Sequence, residues 1–270
     1  MTKETVEQTI QEIKKELLDF SIDKKNLEKF GTVDHMDDEY LSYVDGFKGA
    51  FYIKFLALLV KKIKPKNIVE LGNREGLSTL AIYDQLPSDS KFVTIDILED
   101  VRYCPSAMFN DARVNFITGD VCDIEILKEI PKEIDFLFSD TIHHDFQIRD
   151  EIEIYQHLLS DVALVAIDDI HTNDKGKFWD EVTYAKWDLS EICHSSGWGL
   201  YLFQRKNKTT PEQRWLAAVE ASARIWRRKH SENESILSKI EEQKIQNKLK
   251  NFIRSNHFLH KTTLLLRNKK

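Results

Sequence analysis

Two short apolar runs in the sequence end in clusters of ionisable groups. Ile134-Asp135-Phe136-Leu137-Phe138 leads into Ser139-Asp140-Thr141-Ile142-His143-His144-Asp145, and Ala163-Leu164-Val165-Ala166-Ile167 leads directly into Asp168-Asp169-Ile170-His171. Apolar runs of about five residues have the length of buried strands. In an open parallel sheet the C-terminal strand ends face the ligand crevice. Asp140 and the Asp168-Asp169 pair are therefore expected to converge. Three carboxylates in one cleft repel one another unless a cation neutralises them. Oxygen ligands with room for water select Mg²⁺, Ca²⁺ or Mn²⁺ over softer metals. Such a cation binds a hydroxyl and lowers its pKa. His143 or His144 is then a candidate general base, because imidazole accepts a proton near neutral pH. The competing readings are a surface histidine for either ring and a helix cap for Asp168 alone.

A second cluster lies upstream. Ile68-Val69-Glu70-Leu71 runs into Gly72-Asn73-Arg74-Glu75-Gly76-Leu77-Ser78. Gly72 permits a sharp turn and Gly76 opens a helix. The dinucleotide fingerprint is missing, since Arg74 stands at its second glycine position. Glu70 and Glu75 add carboxylates where a phosphate site would need none, so the lining suits a ligand carrying a positive group. Asp96 ends the next apolar run, where a carboxylate can accept ribose hydroxyls. Asp120, in Gly119-Asp120-Val121, follows the third run, beside the place for an adenine. Each acid alone is equally well read as a cap or a solvated strand end. Together, in order, Glu70, Gly72, Asn73, Gly76, Ser78, Asp96 and Asp120 fit S-adenosylmethionine better than NAD.

These residues need a scaffold, and the periodicity supplies one. Strands are predicted at Ile68–Leu71, Phe92–Asp96, Val114–Ile117, Ile134–Phe138 and Ala163–Ile167. Helices are predicted at Leu77–Leu86, Cys122–Ile130 and Phe146–Leu159, two of them stopped by Pro87 and Pro131. Alternating short strands and helices indicate βαβ units and a parallel sheet. Leu189–His194, a Ser-Ser-Gly-Trp-Gly turn and Leu200–Phe203 read as a closing antiparallel hairpin. Upstream, residues 4–19 and 47–62 have helical spacing. Downstream, Thr210-Pro211-Glu212 starts a helix with Leu216, Val219, Ala223 and Trp226 on one face, and a second helix is expected over about 232–254. A lid is expected from residues 26–50 and 171–186, which hold Tyr40, Tyr43, Phe47, Phe178, Trp179 and Tyr184; core packing is the alternative role for most of these rings.

The 270-residue chain is 41% hydrophobic and 31% charged, which excludes a disordered or collagen-like polymer. It has no uncharged apolar stretch of about 18 residues to span a bilayer. Its three cysteines, Cys104, Cys122 and Cys193, are odd in number and lack metal-binding spacing, so reduced thiols and a cytoplasmic location are expected. The net charge of -6 conceals an acidic body and a basic tail: residues 206–270 carry 16 Lys and Arg against 6 Asp and Glu. Such a tail can hold a nucleic acid, an acidic membrane surface or a second subunit, or be a solvated helical face.

On these residues, Asn67 to Phe203 resembles the class I S-adenosylmethionine-dependent methyltransferases. In the caffeoyl-coenzyme A and catechol O-methyltransferases an Asp after strand four joins an Asp-Asn pair after strand five. Asp140, Asp168 and Asp169 match those positions, with Asp169 replacing the Asn. The cephalosporin hydroxylase-like methyltransferases are a closer match: an Asp with a His three residues on, then an acidic-apolar run ending in Tyr, is Asp140, His143 and Glu151-Ile152-Glu153-Ile154-Tyr155 here. Those families often have Pro-Gly-Gly before strand five, where this chain has Leu159-Ser160-Asp161. The resemblance implies an α/β fold with a doubly wound, mostly parallel seven-stranded sheet of Rossmann-like methyltransferase type, an antiparallel terminal hairpin, and helical N- and C-terminal extensions.

The resulting organisation is an N-terminal helical segment and lid over 1–46, a donor-binding domain over 47–205 and a basic helical extension over 206–270. The function it implies is O-methyl transfer to a hydroxyl of a small molecule or sugar. Asp140, Asp168 and Asp169 hold a divalent cation, magnesium first among them, and His143 or His144 is the base beside Asp140. The alternatives are an RNA methyltransferase docked by the basic tail, and a non-catalytic S-adenosylmethionine-binding or assembly protein whose C-terminal helices form a homo-oligomer. The nucleic-acid reading is weakened by the lack of an Asn/Asp-Pro-Pro-aromatic motif after strand four and of a cysteine placed as a pyrimidine nucleophile.

Overall fold

The structure is a computed structural model that describes residues 1–22, 46, 50–99 and 104–231. The chain divides into two compact units, Met1–Ser222 and Ala223–Lys270, and the architecture below is that of the first.

Seven strands form one sheet in the order β3-β2-β1-β4-β5-β7-β6. They are β1 (Asn67–Leu71), β2 (Lys91–Asp96), β3 (Val114–Thr118), β4 (Ile134–Ser139), β5 (Leu159–Asp168), β6 (Ala185–Asp188) and β7 (Trp198–Gln204). The first five pair in parallel, and β5-β7-β6 pair antiparallel. The expected doubly wound, mostly parallel fold is borne out, terminal hairpin included. The central strands β1, β4 and β5 are near-continuous apolar runs because helices cover both of their faces.

Helices α1 (Lys3–Glu16), α2 (Tyr52–Ile63), α3 (Leu77–Asp84), α4 (Ser106–Phe109), α5 (Asp145–Tyr155), α6 (Gly176–Glu181) and α7 (Pro211–Ser231) complete the described elements, with a 3-10 turn at Ile126–Lys128. Val6, Ile10 and Ile13 of α1 bury their stripe in the core that α2 also fills. Lys62 of α2 reaches Glu12 (3.2 Å) and Glu16 (2.6 Å) across that contact. Arg214 of α7 is buried, holding Glu133 at 2.6 Å and Asp161 at 3.2 Å. Among the described residues no helix is long and apolar enough to cross a membrane. Cys104, Cys122 and Cys193 are buried and form no disulfide with a described residue.

Three expectations need correction. The helix predicted over Cys122–Ile130 is reduced to the single 3-10 turn. The Asp120 carboxylate accepts from the Cys122 N–H (2.8 Å) and the Asp123 carboxylate from the Glu125 N–H (2.9 Å). Two such local turns compete with the helical ladder. The first hairpin strand is Ala185–Asp188, upstream of the predicted Leu189–His194. That segment is a turn closed by Ile192 and Cys193 N–H groups on the Leu189 carbonyl (3.0 and 2.9 Å). Its Leu189 and Cys193 are apolar because they plug the core, not because they alternate along a strand. On α7 the buried positions before the unit boundary are Arg214, Trp215, Ala218, Val219, Ala221 and Ser222, so the inward face is rotated from the one expected through Leu216. The predicted helix over 232–254 lies outside the described residues.

Candidate active site

The C-terminal ends of β1, β2, β4 and β5 open into a cavity of about 960 Å³. Chain order reverses between β1 and β4, so the crevice sits at the switch point of the sheet. Of the residues singled out in the sequence, Gly72, Asp96, Asp120, Asp140, His143, His144, Asp168 and Asp169 line it. Glu70, Asn73, Gly76 and Ser78 are not among the lining residues.

The β1 side is built by backbone hydrogen bonds. Gly72 has φ 83°, and a Cβ there would run into the Asp140 carbonyl oxygen, so only glycine lets the turn pass under the end of β4. Asp96 fixes that turn: its Oδ2 accepts from the N–H groups of Asn73 (2.9 Å) and Arg74 (2.7 Å), and its Oδ1 from Leu98 N–H (2.9 Å). Below, the fully buried Glu70 Oε2 accepts from the hydroxyls of Thr79 (2.6 Å) and Thr94 (2.6 Å). Burial pushes the Glu70 carboxyl up to about 7, against the pull of its hydroxyl partners Ser78, Thr79 and Thr94. The expected acidic lining is thus divided. Glu70 ties β1 to β2 and α3, Glu75 pairs with Arg74 (2.9 Å), and Asp96 and Asp120 face the cavity.

The β4–β5 side is built from ionisable pairs. Asp169 Oδ2 lies 2.8 Å from His143 Nε2, and Asp168 Oδ1 lies 2.7 Å from His194 Nε2. Consecutive strand residues normally point to opposite faces. Here Asp169 takes a left-handed conformation, φ 56°, and both acids line the cavity. Such strain in a non-glycine residue is characteristic of functional sites. Burial first, then the Asp168 and Asp169 charges, push the Asp140 carboxyl well above its usual range, with Lys175 opposing. Burial works to lower the His194 pKa, but its hydrogen bond to Asp168 and the charges of Asp168 and Asp169 hold it above the ordinary imidazole value. Tyr52 packs edge-on against His194, with ring centroids 4.9 Å apart.

The two expected bases occupy different settings. His143 joins Asp140 and Asp169. His144 lies 3.2 Å from Asp174 through Nδ1 and stacks on Phe146, with centroids 5.6 Å apart. Among the described residues, ligand atoms that approach within 4.8 Å of one another form two triads, Asp140-His143-Asp169 and Asp168-Asp169-His194. The expected carboxylates are thus shared between two groups through Asp169, and each group contains an imidazole. The carboxylate oxygens suit a hard divalent cation such as Mg²⁺ or Mn²⁺, and an imidazole nitrogen in the set widens the choice to Fe²⁺ or Zn²⁺.

Sequence reasoning missed His194 and Tyr52. His194 had been assigned to a strand; its signal was the turn Ser195-Ser196-Gly197 just before β7, which returns the chain to the end of β5. The expected lid is corrected in part. Phe178, Trp179 and Tyr184 do not line the cavity: Trp179 is buried, Phe178 lies under the Arg149 guanidinium, and Tyr184 stacks on Tyr201. Tyr40, Tyr43 and Phe47 lie outside the described residues.

The family model described as O-methyltransferase matches residues 49–182, the segment that carries Asp140, His143, Asp168 and Asp169. This segment belongs to the O-methyltransferase family. With its fold, it is a class I S-adenosylmethionine-dependent methyltransferase domain. O-methyltransferase hkm8 of Aspergillus hancockii is 27% identical over 111 residues, a match covering 39% of this chain and 43% of that protein. The chain thus spans less than half the length of this curated relative. The methyltransferase PaMTH1 of Podospora anserina, solved with S-adenosylhomocysteine bound, superposes with a TM-score of 0.51 at 18% identity, covering 76% of this chain and 97% of that one. That likeness is one of fold. His194 lies C-terminal to the matched segment, in the turn before β7.

Proposed function

We propose that the protein transfers the methyl group of S-adenosylmethionine to a hydroxyl of a small-molecule or sugar acceptor, assisted by a divalent cation, with magnesium the first to test. The observation that carries this reading is the His143–Asp169 pair, 2.8 Å apart, in the same cavity as the Gly72 turn and within the family-matched segment.

Asp169 accepts from one imidazole nitrogen and so fixes both the ring orientation and the tautomer. The other nitrogen, Nδ1, is left to take the acceptor's hydroxyl proton as oxygen attacks the methyl carbon. The O–C bond forms, the S–C bond breaks, and the proton rests on His143. Asp96, already oriented by three backbone donors, retains acceptor capacity for a ribose hydroxyl. The Gly72 turn keeps side chains out of the donor's path. The cavity is at the upper end of the size of small-molecule sites and has room for donor and acceptor together. Asp140, Asp168 and Asp169, with His194, would hold the cation. When bound, it lowers the pKa of the acceptor hydroxyl and orients it.

The test is methyl transfer to a panel of hydroxylated acceptors, followed by mass spectrometry, with and without EDTA and for Asp169→Ala. Methylated product that disappears with chelator and with the substitution is expected. Turnover indifferent to both would remove the cation and Asp169 from the mechanism. Tight donor binding with no product across the panel would overturn the catalytic reading.

A further inference from the structure

The cavity wall that carries Asp120 is held by two hydroxyls that the methyl-transfer mechanism does not use. Gly119, Asp120 and Val121 line the cavity just past the end of β3. Gly119 N–H donates to the Asp96 carbonyl (2.8 Å), which joins this loop to the other acid of the same side. Within the loop, the Asp120 carboxylate accepts from Cys122 N–H (2.8 Å) and the Asp120 carbonyl from Asp123 N–H (2.8 Å). The next two carbonyls are taken by helices. Tyr155, at the end of α5, donates its hydroxyl to the Val121 carbonyl (2.9 Å), and Ser222 of α7 donates its hydroxyl to the Cys122 carbonyl (2.6 Å). Neither Tyr155 nor Ser222 lines the cavity, and both are buried, so water does not compete for either hydroxyl. Among the described residues no backbone N–H donates to the Val121 carbonyl, so loss of the Tyr155 hydroxyl leaves that carbonyl in a buried residue unsatisfied. Two turns before Ser222, Trp215 Nε1 adds a longer bond to the Leu127 carbonyl (3.4 Å). Tyr155 closes the acidic-apolar run noted in the sequence, whereas α7 lies outside the family-matched segment.

We infer that Tyr155 and Ser222 are positioning residues for the methyl donor. They fix the Asp120 loop in the one conformation that receives the nucleoside end of S-adenosylmethionine, and through Ser222 the C-terminal helix α7 is a working part of the donor site. A loop that holds its binding conformation for only a fraction of the time weakens its ligand by that fraction. Loosening it is therefore read in donor affinity. The placing of the donor on this loop rests on the methyl-transfer reading above; the hold on the loop does not.

The test uses the full chain as wild type, Tyr155→Phe, Ser222→Ala and Ser222→Thr, with two measurements on each. Calorimetry with S-adenosylhomocysteine reads donor-site affinity. Tyr155→Phe is expected to bind at least about fivefold more weakly than wild type, Ser222→Ala at least about threefold, and Ser222→Thr, which keeps the hydroxyl, within about twofold. Amide hydrogen exchange without ligand reads the loop itself. Residues 119–124 are expected to exchange at least about fivefold faster in Tyr155→Phe and Ser222→Ala, with β1 and β4 unchanged. The inference is overturned if both variants bind S-adenosylhomocysteine like wild type, even with a lowered melting temperature, since that is a structural role alone. Loop exchange equal to wild type in both variants, or Ser222→Thr as weak as Ser222→Ala, overturns it as well. Should Tyr155→Phe fail to fold, the two Ser222 variants decide. Wild type that binds no S-adenosylhomocysteine marks failure of the methyl-transfer reading, whereas variants that bind it like wild type mark failure of this one.

Discussion

The two sides of the cavity hold acids in opposite ways. On the β1–β2 side, Asp96 is held by three backbone N–H groups and Asp120 accepts from Cys122 N–H. These are fixed donors that never change charge. On the β4–β5 side, Asp169 and Asp168 meet His143 and His194. Both of these partners carry exchangeable protons. The first side is pre-shaped, as suits a ligand whose binding must be the same in every cycle. The second has charges that rearrange when a proton or an ion enters, as suits the side where a bond is made.

The comparison is sharpened most by His143→Gln. Loss of a general base costs about 10²–10⁴-fold in rate. That loss is expected in kcat, with donor affinity unchanged by calorimetry; an equal loss of donor affinity would erase the division between the two sides. Next is Glu70, whose carboxyl is raised to about 7 from an unfolded value of 4.5. The folded state binds the extra proton between these values, so this group's contribution to stability falls as pH rises through that window. Glu70→Gln is expected to lose the dependence and to gain on wild type by up to about 3 kcal/mol at pH 8, with the difference closing towards pH 5. Parallel stability–pH curves for the two proteins would contradict it. Asp96→Ala is expected to weaken donor binding about tenfold, roughly 1.4 kcal/mol, with kcat at saturating donor little changed. A kcat loss at saturation would place Asp96 on the reactive side instead. The smallest effect is expected for His144→Ala, since its ring is held by Asp174 and Phe146 at the rim. Its kcat should stay within about twofold of wild type, well under the 10²-fold floor expected for loss of a base.

Much of this was legible in the sequence because it depends on local chemistry. Apolar runs of strand length, the Gly72 turn and the acids that close each run mark the sheet and the mouth of its crevice. What misled was also local in origin. Leu189 and Cys193 read as strand because they are apolar, and Cys122–Ile130 as helix because of its spacing. In the fold, core plugging explains the first pair, and two Asp-capped turns break up the second.

The sequence by itself determined the five parallel strands, where their acids fall and that the turn after β1 needs glycine, since periodicity, chain reversal and steric exclusion act over a few residues. Only the tertiary structure decided the partners of those acids. His194 reaches Asp168 across 26 positions and His143 reaches Asp169 across a strand-to-strand crossover. Electrostatic pairing depends on distance through space and on the exclusion of water, and neither exists until the sheet has closed over its core.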